Sequence, residues 1–126
     1  HDHDEQGMHV ATESTIPMGC GMGSSAAMIV SLLHAIASFR ALIFDEESYF
    51  KQAIETENLQ HGRSSGLDIR VALRGGCIYY RQGECESRPL PTFPLYLINT
   101  GKPISNTGEC VAHTQAVFYQ DPARLH

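Results

Sequence analysis

Gly19, Gly21 and Gly23 alternate with Cys20 and Met22, then run into Ser24, Ser25, Ala26 and a long apolar stretch. Residues of these types in this order suit an anion. Glycine lets the backbone turn sharply and approach a ligand closely. A helix that follows offers unpaired N–H groups and about half a positive charge at its first turn, a setting that phosphate occupies readily. Serine hydroxyls are hard-oxygen ligands for the cation that accompanies a nucleotide phosphate. Two carboxylates stand further on: Glu57, and Asp68 within Ser65-Gly66-Leu67-Asp68. Magnesium on a nucleotide takes one or two carboxylates beside phosphate oxygens and water, and a serine with Glu57 would serve. Phosphoryl transfer to an alcohol also needs a group that orients the hydroxyl and accepts its proton. Asp68 is the candidate.

The glycine run is neither a Walker A loop, since G-x-x-x-x-G-K-[ST] is absent, nor a dinucleotide fingerprint, since Ser24 stands where a third glycine is required. Each candidate also has a plainer reading. The glycines fit a close strand-to-helix turn, Glu57 fits a solvated helix face beside Glu55 and Asn58, and Asp68 fits a cap of its own short helix.

These residues need elements to hold them. Met8 to Ser14 alternates, with Val10 and Thr12, and predicts a strand ending by Pro17. Ser24 to Phe39 predicts a helix whose apolar face carries Ile29, Leu32, Leu33, Ile36 and Ala37. Ala26 and Ala27 let its first turn sit close to other backbone. Asp45 is an N-cap for a second helix reaching about Leu59, with Glu46 and Glu47 in its first turn and Tyr49, Phe50, Ala53 and Ile54 on its apolar side. His61 to Gly66 is a turn-rich break. Leu67 to Leu73 predicts a short helix ended by Gly75-Gly76, then a strand over Cys77 to Tyr80 and a turn at Gln82-Gly83. Glu84 to Pro94 has three prolines and reads as a linker or edge segment. Leu95 to Asn99 predicts a strand, and Asn106 or Thr107 caps a last helix through Val111 to Phe118.

Apolar residues make up 42% of the 126, enough for a core. A net charge of -5 and the lack of a basic stripe argue against nucleic acid or an anionic membrane as partner. The apolar stretches are too short and interrupted to span a bilayer, and the polar start His1-Asp2-His3-Asp4-Glu5 is no signal peptide. Cys20, Cys77, Cys85 and Cys110 have no C-x-x-C pairing, which argues against a zinc site and for free thiols in a reducing cytoplasm. The histidines and aspartates at the start fit a frayed end better than a metal site.

Pro17-x-x-x-Gly21-x-Gly23-Ser24-Ser25-Ala26-Ala27 resembles the ATP-phosphate loop of the galactokinase, homoserine, mevalonate and phosphomevalonate (GHMP) kinases. Glu57, His61-Gly62, Ser65-Gly66-Leu67-Asp68 and Gly75-Gly76-Cys77-Ile78-Tyr79-Tyr80 follow in the order and spacing of the mevalonate kinases within that family, so that the resemblance covers about Val10 to Gly83. It implies an α+β chain: residues 1–92 as part of a two-layer β-α N-terminal domain, and residues 93–126 as the start of a ferredoxin-like second domain, with Leu97 to Val111 resembling its opening strand-to-helix stretch. It implies that Gly19, Cys20, Gly21, Met22, Gly23, Ser24, Ser25 and Ala26 wrap the phosphates of ATP. Ser25 and Glu57 would hold Mg2+, and Asp68 would orient the acceptor hydroxyl. His61, Ser65, Gly66 and Thr107 would meet a small alcohol, mevalonate first among them. A homodimer of the full-length protein is left open.

The match departs in places. The family's lysine-bearing N-terminal motif and its C-terminal glycine-rich loop are not in these 126 residues, so the resemblance implies the middle of a longer kinase, with little or no turnover by itself and with unpaired sheet edges that cost solubility or need a partner. Ser64 stands where the family has proline, which is expected to loosen the turn. Ile69 replaces an asparagine, and Ser105-Asn106-Thr107, with Lys102 nearby, stands where an arginine is usual. Two alternatives follow: a kinase for another sugar or alcohol, and an inert nucleotide-binding chain.

Overall fold

In the computed structural model, the residues described are 7–98, 101, 104–105 and 107–120. The elements in chain order are α1 (Ser24–Phe39), α2 (Glu46–His61), α3 (Leu67–Arg74), β1 (Cys77–Arg81), β2 (Glu84–Arg88) and α4 (Thr107–Gln120). The chain is α+β. Helices α1, α2 and α3 pack on one another, and β1 packs on α3. The shared core is Ala26, Ile29, Val30, Ala53 and Ile69, with Leu33, Phe50, Ile54, Ala72 and Leu73 against it. Ala26 and Ala53 are fully buried, so the small residues mark where helices cross closely, as expected for Ala26. No described helix is long and apolar enough to cross a membrane.

Helix α2 starts where Asp45 accepts a hydrogen bond from the Ser48 N–H at 2.9 Å, with Glu46 and Glu47 in the first turn. The same acids clamp α3. Arg70, 6% exposed, donates to Glu46 at 3.1 Å and to both Glu47 oxygens at 2.8 Å. Its guanidinium carbon lies 3.6 Å from the centre of the Phe50 ring, while Arg74 donates to Glu46 at 2.6 Å. The hydrogen bonds from Arg70 hold the Glu47 carboxyl below its ordinary 4.5, and those from Ser48 hold Asp45 below 3.8. A depressed carboxylate stabilises the fold above its unfolded-state pKa and loses that contribution as pH falls through the folded-state value. Stability is therefore expected to decline from about pH 4.5 downward, with Arg70→Met flattening the decline. Denaturant titrations at a series of acid pH values measure it, and an unchanged slope in Arg70→Met would remove Glu47 as a source.

The hairpin of β1 and β2 is antiparallel, with Tyr80 opposite Cys85 and Arg81 opposite Glu84. Gln82 and Gly83 turn it with φ of 52° and 90°, the positive pair that a two-residue primed turn requires. The predicted edge role of Glu84 onward holds for β2. The prolines that follow carry no N–H for a ladder, and 89–98 has no regular structure.

Two predicted strands are not formed. Met8 to Ser14 is not a strand; residues 10–16 line a groove against Ala27, Met28, Ser31 and Leu32 of α1. Its alternation is real, but a strand exists only with a ladder partner, and among the described residues β1 and β2 pair only with each other. Leu95 to Ile98 lacks a partner in the same way and stays exposed; Asn99, Asn106, Lys102 and the His1–Glu5 cluster lie outside the described residues.

Candidate functional site

Gly19, Gly21 and Gly23 have φ of 74°, 70° and 68°, and Cys20 and Met22 between them are not in the positive-φ region. Alternation of this kind suits a nest, in which successive N–H groups turn toward one side and make an anion-binding concavity. The loop feeds α1 through Gly23, which as N-cap has no side-chain hydrogen bond, and the first turn of α1 contains no acid. The contrast with α2 is informative: that N-terminus is closed by Asp45 and two glutamates, whereas the donors and positive end of α1 are left for a ligand. The Cys20 thiol turns back to the Met18 carbonyl at 3.7 Å, so Cys20 offers this concavity its backbone.

Asp68 lies in the first turn of α3, exposed. A Cβ built on Gly23 would lie 3.6 Å from its Cγ and 3.8 Å from Oδ2. The carboxylate thus faces the last glycine of the loop, with no side chain between. It does not cap α3, whose N-cap is Gly66 with no side-chain bond, and that plainer reading falls away.

Glu57 is 6% exposed, so it is not a solvated residue of the α2 surface. Its Oε2 accepts the hydroxyl of Ser64, and among the described residues no cationic side chain pairs with it. One turn on, Gln60 accepts a hydrogen bond from Ser25 Oγ at 3.4 Å, tying the start of α1 to the end of α2. Ser64 does not loosen its turn, contrary to expectation. Its N–H donates to Asn58 Oδ1 at 2.6 Å, and its Oγ accepts from the Gly66 N–H at 3.1 Å. A serine keeps the N–H and hydroxyl that proline lacks, and here both are used.

Gly66 is buried, with φ of 81°. Ser65 is exposed; its carbonyl accepts the Tyr80 hydroxyl at 2.8 Å, and its Oγ accepts the Leu67 N–H at 3.3 Å. His61 ends α2, exposed, with no described contact to the loop, and Thr107 begins α4. The geometry brings Asp68 to Gly23, ties Ser25 to α2 through Gln60, and bonds Glu57, one turn before Gln60, to Ser64. It adds Asn58, Gln60 and Ser64, which were not singled out as binding residues. The sequence signal for Ser64 was its place in a Ser-Ser-Gly turn, where hydroxyls commonly bond nearby backbone.

Chemically the arrangement fits a nucleotide with a hard cation. Among the described residues no group of three or more His, Cys, Asp or Glu side chains could hold a metal ion. Carboxylate and serine hydroxyl are hard-oxygen donors of the kind that Mg2+ takes, few at a time, beside phosphate oxygens and water.

Residues 1–76 match the family profile described as GHMP kinases N terminal domain. A mevalonate kinase of Pyrococcus abyssi (strain GE5 / Orsay) is 36% identical over 116 residues, 92% of this chain and 34% of the relative. One of Pyrococcus furiosus is 35% identical over 121 residues, 96% and 36%. One of Archaeoglobus fulgidus is 34% identical over 116 residues, 92% and 39%. The chain thus spans little more than a third of the length of these curated relatives. No solved structure matches.

Proposed function

The chain belongs to the GHMP kinase family, and from that premise we propose that it forms part of the active site of an ATP-dependent kinase that phosphorylates an alcohol, with mevalonate converted to 5-phosphomevalonate. The observation that carries this reading is the approach of Asp68 to Gly23, because it brings a free carboxylate to the rim of a loop built for phosphate.

In this proposal the N–H groups from Gly19 to Ala26 bind the phosphates. Ser25 Oγ and Glu57 would hold Mg2+, which when bound would supply charge neutralisation at the phosphate oxygens. Asp68 orients the acceptor hydroxyl and takes its proton as the new O–P bond forms and ADP departs. Positioning and fixed charge supply the rate, as this chemistry requires little covalent work from the protein. His61, Ser65, Gly66 and Thr107 are assigned to the acceptor side, residues 1–92 to the N-terminal domain and 93–126 to the start of a ferredoxin-like second domain.

The test is coupled ADP detection with the intact protein and mevalonate. Mg2+-dependent ADP release with mevalonate is expected, and release no greater than without acceptor would overturn the assignment. A second reading, another alcohol as acceptor, is favoured by Ile69, which is fully buried in the core and offers an acceptor no polar group. A panel of sugars and short alcohols in the same assay separates the two.

A further inference from the structure

Ser64 joins two parts of the proposed site through one oxygen. A serine hydroxyl has one hydrogen to donate and two lone pairs to accept with. The hydrogen goes to Glu57 Oε2, and a lone pair takes the Gly66 N–H at 3.1 Å. Gly66 is the N-cap of α3, whose first turn carries Asp68. The Ser64 backbone is itself anchored on α2 by Asn58 Oδ1, 2.6 Å from its nitrogen. The Asn58 amide, the serine hydroxyl and the Gly66 N–H therefore tie the end of α2 to the start of α3, with Glu57 on one branch.

A neutral donor is what a cation-binding carboxylate needs. A buried carboxylate requires a partner, but an arginine or lysine would cancel the charge that attracts the cation. The Ser64 hydroxyl orients Glu57 without setting an opposing charge beside it, and the N–H that Gly66 donates to the same oxygen strengthens the bond by polarisation. We propose that Ser64 is a positioning residue that holds Glu57 in place for the nucleotide's Mg2+ and ties its orientation to the segment carrying Asp68. This rests on the reading of Glu57 as a magnesium ligand.

The experiment measures the affinity of the intact protein for a fluorescent ADP analogue, with Mg2+ and with chelator. The ratio of the two affinities is the gain due to the metal. Loss of an outer partner of a metal ligand costs about 10- to 100-fold in metal affinity. Ser64→Ala is expected to cut the gain by about tenfold or more while leaving the chelator value in place, and Ser64→Thr, which keeps the hydroxyl, is expected to retain it. Ser64→Cys keeps the volume but has only a weak donor; it is expected to behave as Ser64→Ala and serves if the alanine variant does not fold. Glu57→Gln must also abolish the gain. If it does not, Glu57 is no magnesium ligand, and the role of Ser64 falls with it. If Glu57→Gln abolishes the gain while Ser64→Ala and Ser64→Cys keep it, the positioning role alone is wrong and the reading of Glu57 stands.

Discussion

Asp68→Asn in the intact protein is expected to lower kcat by about 10²- to 10⁴-fold, the range that a positioned general base contributes. Affinity for ADP is expected to hold or to tighten. The second expectation comes from charge. Asp68 faces Gly23 at the rim of the loop, where a carboxylate repels a bound phosphate. It therefore opposes nucleotide affinity, and its removal relieves that repulsion. Nor is it a stability residue. It caps nothing and is exposed, and surface changes of that kind stay within about 0.5 kcal/mol. A fall in kcat with Tm and ADP affinity preserved would thus locate the loss in the chemical step. Asp68→Ala separates two roles. Asn still accepts a hydrogen bond and can orient an alcohol, whereas Ala can do neither. If Asn retains most of the rate and Ala loses it, Asp68 orients without taking the proton. If both variants turn over near normally, it has no part in catalysis.

The helices were legible because their signals are local. Ser24 to Phe39 carries its own apolar stripe, and Asp45, Glu46 and Glu47 mark an N-terminus by cap and dipole, so the predicted and observed bounds agree at the start of α1 and of α2. The β1 turn at Gln82-Gly83 was legible for the same reason. Met8 to Ser14 was misread because alternation reports two faces and says nothing about the ladder partner that makes a strand, and the apolar run Leu95 to Ile98 says no more of one. The site divides likewise. The alternating glycines announce their backbone, and Glu57 and Asp68 stand out beside a family pattern. Ser64 was read only against the proline it replaces, and its bonds to Glu57, Asn58 and Gly66 depend on how α2 and α3 meet. No window along the chain contains that crossing.

Gly66→Ala is expected to destabilise the fold by about 2–5 kcal/mol, from two separable causes. The first is backbone. Gly66 has φ 81° and ψ -2°, the left-handed region, which costs a residue with a Cβ about 1–2 kcal/mol. The second is contact. An added Cβ would lie 2.8 Å from Phe50 Cζ, 3.0 Å from Cε2 and 3.2 Å from Ile54 Cδ1. The ring has little freedom to yield, since the Arg70 guanidinium carbon stands 3.6 Å from its centre and Glu46 and Glu47 hold that arginine. Overpacking of this kind costs about 1–3 kcal/mol. Gly76→Ala isolates the backbone part, because Gly76 has φ 69° and nothing within 4 Å of an added Cβ; about 1–2 kcal/mol is expected there. Phe50→Leu isolates the contact part. If the clash is real, Gly66→Ala costs less in the Phe50→Leu background than alone, with a coupling of about 0.5–3 kcal/mol. Strict additivity would leave backbone strain as the whole cause. The same displacement reaches the site: Gly66 donates to Ser64 Oγ and begins the helix that carries Asp68, so a backbone pushed off Phe50 moves both. Denaturant titrations give the stabilities, and kcat of the folded fraction shows whether Asp68 has moved with its helix.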